Sequence, residues 1–144
     1  ADSVVEREML RILDFYYIYP SLLRDIRFPQ ESSSWRSRLR DETNRYWFSG
    51  DAHMTFMEME PLFSTAALLL YAKGVLASEE FERDKFRLLG ESLGERLREM
   101  IEATVEDDQE LLEFLTQVLG KLPLRGRDGV KHRTGLMEWK YDPV

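Results

Sequence analysis

The chain has 144 residues, a formal net charge of -7, 43% hydrophobic and 12% aromatic residues, and no cysteine. That composition excludes intrinsic disorder, and the missing cysteines exclude disulfides, thiolate zinc sites and a cysteine nucleophile together. The negative charge opposes nonspecific attraction to a polyanion. "SVVEREMLRILDFYYIYP" predicts a first helix, with Ser3 and Glu6 as a capping box. Val5, Met9, Ile12, Leu13 and Tyr16 recur at helical spacing and form its apolar stripe. Pro20 ends it, having no N–H to donate, and "SLLRDIRFP" reads as a short helix or turn. Ser32 to Ser34 offer capping oxygens to a helix over "WRSRLRDETNRYWF", and Ser49-Gly50-Asp51 reads as a turn. "AHMTFMEM" reads as a short strand or an extended lead-in.

Pro61 suits the first position of the next helix, which runs through an almost wholly apolar stretch to Ala72. Gly74 supplies a left-handed stop after it. A helix apolar all round reads as buried core. The run is also well short of the roughly 20 residues that cross a bilayer, and the N-terminal stretch has no signal-peptide pattern. The expectation is a soluble, cytoplasmic protein. Val75-Leu76 and "KFRLL" predict a small β-hairpin around "ASEEFERD", so that a third helix is followed by a wing. Two more helices follow. One carries Leu93, Leu97, Met100, Ile101 and Val105, the other Leu111, Leu112, Leu115, Val118 and Leu119. After Pro123 the chain turns basic and glycine-punctuated. The expected organisation is a helical, winged-helix-like domain over residues 1–122 and a basic-aromatic tail over 123–144. The fold class is mainly α: a degenerate winged helix with a small hairpin and two additional C-terminal helices.

Catalytic chemistry is poorly supported. Of the two histidines, His53 with Asp51 could share a metal or act as a base, but no third ligand or nucleophile stands at a suitable spacing. Asp107 and Asp108 sit at a helix start, where capping explains them. "RGRDGVKHRTG" lacks the spacing of a phosphate loop. No enzyme, cofactor or metal is expected; an enzyme would need His53 or His132. Base reading by the Pro61 helix fails too, since no Arg, Lys, Asn or Gln lies between Pro61 and Ala72.

Two basic segments remain. In "SSSWRSRLR", Arg36 and Arg40 fall one helical turn apart beside Trp35 and could grip acidic groups, or simply form a solvated face. In the tail, Arg125, Arg127, Arg133 and Trp139 suit a segment that orders on a partner. A solvated end, a phosphate-contacting arm and an arm folded back on the chain's own core are the alternatives there.

"ILDFYYIYPSLLRDIRFP" and "MTFMEMEPLFSTAALLLYAKGVLASEEFERDKFRL" together resemble the middle components of bacterial three-component ABC-ATPase systems. The first stretch carries an aromatic run followed by Pro20-Ser21-Leu22-Leu23 and Ile26-Arg27. The second leads through Met59 and Pro61 into an apolar helix closed by Lys73-Gly74 and an aliphatic pair. Many members have Gln after a Pro-Ile, where this chain has Leu62-Phe63 after Pro61. The likeness spans residues 6–90 and implies a non-catalytic adaptor linking an SMC-like ABC ATPase to effector subunits, or to DNA the ATPase holds, in defence against phage or plasmids. Trp35, Arg36, Arg40, Arg125, Arg127, Arg133 and Trp139 are the partner-binding candidates, and the aromatic load leaves room for a homodimer. The rival reading is a DNA-binding winged-helix transcription regulator, whose arginines over 36–45 and in the tail would touch phosphates without base specificity.

Overall fold

The computed structural model describes residues 3–44, 48 and 50–137. The described residues are mainly α-helical with a two-stranded antiparallel sheet. Strand β1 (Val4–Glu6) runs directly into α1 (Arg7–Ile18), and 3-10 turns follow at Pro20–Asp25 and Gln30–Ser32. Two short helices come next, α2 (Trp35–Arg38) and α3 (Arg40–Asn44), then α4 (Ala52–Glu58), α5 (Glu60–Ala72) and α6 (Ser78–Phe81). Strand β2 (Lys85–Arg87) precedes α7 (Glu95–Asp107), α8 (Gln109–Gln117), a 3-10 turn at Leu119–Lys121, and α9 (Val130–Thr134).

The main core is built where α1 meets α8. Ile12, Phe15, Phe114, Leu115 and Leu119 are each at most 2% exposed, and Leu23, Leu39 and Phe56 close around them. The stripe read along the first helix is this contact. Phe15 packs against Tyr16 and Phe56 edge-on, with centroids 5.3 and 5.6 Å apart. A smaller core forms beneath α5 from Ala67, Leu76 and Phe86.

Several local expectations give way. The capping box does not form, because Val4 and Val5 are β-branched and pair with Arg87 and Phe86 instead of starting the helix. Glu6, in extended backbone, becomes the position before α1, and the Arg7 N–H donates to the Asp84 carbonyl at 2.8 Å. The expected sheet partner of residues 85–89 contributes only a bridge between Leu76 and Leu88, while β2 takes β1 as its strand partner. "AHMTFMEM" is helix α4, since the Asp51 side chain accepts the Met54 N–H and caps it. The helix expected from Trp35 is interrupted at Leu39, and residues 45–47 of it lie outside the described set. Asp107 ends α7, and Asp108 accepts the Tyr17 hydroxyl at 2.5 Å rather than capping α8. That bond is the main cause pushing the Tyr17 hydroxyl up to about 12.

Beyond Pro123, Leu124, Val130 and Leu136 join the main core cluster. The Val130 and Lys131 N–H groups donate to the Pro123 and Leu124 carbonyls at 2.7 and 3.1 Å. The buried Lys131 ammonium pairs with Glu8 on α1. Gly129 makes this docking possible: a Cβ there would stand 2.3 Å from the Arg125 carbonyl oxygen. Gly129→Ala should therefore cost about 1–3 kcal/mol as an overpacking change. Gly90→Ala, with nothing within 4 Å of the new carbon, serves as the comparison in the same thermal melt and should leave stability nearly unchanged.

Candidate interaction surface

Helix α5 is held by its first turn. Glu60 faces α1, where the Arg7 guanidinium donates to its Oε1 at 2.5 Å and Arg11 Nε lies 2.8 Å from its Oε2. Ser64 donates to the same carboxylate at 2.9 Å and accepts from Arg7 at 2.8 Å. Arg11 also donates to the Phe56 carbonyl, and its guanidinium lies 3.8 Å from the centroid of the Phe56 ring. Burial is the main force lowering the Arg11 pKa, with Glu60 opposing it. Burial pushes the Glu60 carboxyl up, but hydrogen bonds from Arg7 and Ser64 and the charges of both arginines outweigh it and hold the group below its ordinary value.

The remainder of α5 overturns the expectation of a buried helix. Among its residues only Ala67 is buried, and Leu62 is 72% exposed with Leu68 and Leu69 more than half exposed. The reason is geometric: one face lies on the small core, and no other described element covers the rest. Met54 and Met57 on α4 are likewise exposed. Helix α7 repeats the situation. Its stripe is amphipathic as read from the sequence, yet Met100, Ile101 and Val105 face solvent. Singly exposed hydrophobics are ordinary, but here several are grouped on each of two helices, Leu62, Leu68 and Leu69 on α5 and Met100, Ile101 and Val105 on α7.

Between α1 and α5, with the sheet behind, runs a groove of about 490 Å³. Its walls include Leu10, Ile18, Leu62, Phe63, Leu70 and Phe86, and Asp14 is the charged side chain among its lining residues. Burial is the main cause raising the Asp14 pKa, partly offset by Arg11.

The residues singled out in the sequence are dispersed. Trp35 is half-buried, its ring 5.5 Å from that of Phe114 and covered by Arg38 at 3.9 Å. Arg36 donates to the Ile26 and Arg24 carbonyls at 2.7 and 3.3 Å, and Arg133 donates to the Arg27 carbonyl at 2.7 Å. These two therefore brace the same turn from different parts of the chain. Arg125 pairs with both carboxylate oxygens of Glu6 at 3.0 Å. Arg40 and Arg127 are exposed, and Trp139 lies outside the described residues. His53 Nδ1 sits 2.9 Å from the Leu136 carbonyl, and His132 Nδ1 contacts the Arg127 carbonyl. Among the described residues, no three of His, Asp and Glu gather as a metal site, and no helix is long and apolar enough to cross a membrane. The open faces of α5 and α7 and the Asp14 groove escaped the sequence reading. The methionines flanking α5 were the available signal, since Met is favoured at adaptable contacts.

The chain is thus a helical protein whose α5 is ion-paired to α1 through Glu60 and whose α5 and α7 both carry exposed apolar side chains. The family model of the ABC-three component (ABC-3C) system Middle Component 5 matches residues 1–142, and the chain belongs to that family. A middle component associates with the other components of its system. Neither the curated proteins nor the solved structures give a match.

Proposed function

We propose that this middle component is a non-catalytic adaptor, joining an SMC-like ABC ATPase to effector subunits, or to DNA held by that ATPase, in a complex that defends against phage or plasmids. The observation that supports the reading is the pair of uncovered apolar faces, on α5 and on α7, in a chain whose family is the middle one of three components. Two separate faces suit a protein that holds two partners at once. Of the basic residues, exposed Arg40 and Arg127 are assigned to rim contacts, and Trp139 to an anchor.

Co-expression with the system's ABC ATPase and third component tests it, followed by size-exclusion chromatography at moderate salt. The wild-type chain should co-elute with both. L62E/L69E should release one of them and M100E/I101E the other, each losing about tenfold or more in affinity, as central contacts do. All four side chains are exposed, so both variants should keep the wild-type melting temperature within about 2 °C, a surface change being worth about 0.5 kcal/mol. A free chain that ignores both components but binds duplex DNA with steep salt dependence would replace this reading with that of a regulator.

A further inference from the structure

We propose that the groove between α1 and α5 seats a helical segment of another component, one that carries a single Lys or Arg among apolar residues and sets that cation against Asp14. The inference rests on the adaptor reading and specifies the chemistry of one of its contacts.

The groove's size, about 490 Å³, is that of a binding cleft, and its walls are aliphatic and aromatic. Strand addition along β2 is blocked because residues 75–77 already occupy its outer side. The Ala77 N–H donates to the Arg87 carbonyl at 2.9 Å and the Leu89 N–H to the Val75 carbonyl at 2.7 Å. What the groove offers is side-chain surface between two helices, the setting in which an amphipathic helix docks by its apolar face.

Asp14 fixes the sign of the occupant. It is half-buried on α1, and it makes no hydrogen bond or ion pair with another described residue. Arg11, three residues earlier on the same helix, is the charged group that acts on it, but Arg11 is turned to Glu60 and Phe56. Facing Asp14 across the groove, α5 presents Leu62, Phe63 and Leu70, and the sheet presents Val5 and Phe86. A carboxylate in such walls is costly until a cation meets it. The chain's own open helix is the wrong occupant: α7 carries five carboxylates against two arginines, so a second copy would bring like charge to Asp14. A basic helix from another component has the right shape and the right sign.

The absence of native cysteine makes the test clean. Leu62→Cys, labelled with a benzophenone maleimide, is assembled with the ABC ATPase and the third component and irradiated. The expected product is a cross-link to one segment whose apolar residues recur at helical spacing around a Lys or Arg. Asp14→Lys should then weaken the complex about a hundredfold, and exchanging that basic residue for Glu should restore most of it. A Leu62 cross-link to an acidic segment or to a second copy would overturn the proposal, as would an assembled complex with no cross-link or one indifferent to Asp14→Lys. All of these leave the adaptor reading standing, whereas failure of any complex to form removes both. Should Asp14→Lys not fold, Asp14→Asn carries the test. Wild-type affinity should rise with pH as Asp14 ionises and the Asn variant's should not; a slope that persists in Asn overturns the assignment.

Discussion

Glu60→Ala should lower the stability of the chain by about 2–3 kcal/mol, read as a lower urea midpoint at unchanged slope. Removing one member of a buried ion pair costs about 3–5 kcal/mol, because the other charge is left without compensation. Here Arg11 is 5% exposed and would be that stranded charge, while Glu60 itself is 41% exposed. Water screens the carboxylate from its open side, which places the effect below the fully buried range. Glu60→Gln isolates the charge, since it keeps an acceptor for Arg7 and Ser64. The pH dependence has a definite sign. The Glu60 carboxyl titrates below its ordinary value of 4.5, so its contribution is complete above that pH and is lost as pH falls through the lowered native value. The wild-type midpoint should therefore fall on the acid side of 4.5 by more than that of the Gln variant. Equal acid sensitivity in the two would mean that Glu60 does not hold α5 through its charge.

Phe114→Ala should be the most damaging single core change, about 3–5 kcal/mol, with a melting temperature lower by about 10–20 °C. Phe114 is 1% exposed, and the rings of Phe28 and Trp35 lie 5.0 and 5.5 Å from it. It thus ties α8 to the segment that follows the first turns. Because Trp35 loses its neighbour, the near-ultraviolet circular dichroism should weaken even at temperatures where the variant stays folded. Leu112→Ala, two residues earlier on the opposite side of α8 and only half-buried, should cost markedly less. Similar losses for the two would place the core elsewhere than between α1 and α8.

Much of the helical frame was legible because it follows local rules. The stripe over Met9, Ile12, Leu13 and Tyr16 and the break at Pro20 stand where periodicity and proline chemistry put them. Gly74 takes the left-handed backbone expected of it, with φ 75°. Three features were beyond such rules. Val4-Val5 is too short a β-branched pair to announce a strand whose partner lies past residue 84. Gly129 reads as flexibility in one dimension, whereas in three it allows a close backbone approach. Helix α5 is the most instructive case. Periodicity reports that a face is apolar, but not whether the surface that covers it belongs to the same chain. Of the basic residues, Arg36 and Arg133 donate to this chain's own carbonyls and Arg125 to Glu6, contacts that depend on the three-dimensional fold and have no local signature in the sequence. Asp14 gave no signal in the sequence, because its place in a groove depends on α5 lying opposite.

The meeting of α1 with α8 also imposes an order on synthesis. Phe15 leaves the ribosome long before Phe114, yet the two belong to one cluster, and β1 must likewise wait for β2. At about 5–20 residues per second, the part of the α1 stripe that receives α8 waits about 5–20 s for Phe114, although Leu23, Leu39 and Phe56 are available to it earlier. During that interval α1 and α5 are both nascent surfaces without their final neighbours, competing for whatever is at hand. The α1–α8 contact can thus be completed only after residue 119 is made, and the sheet only after residue 87.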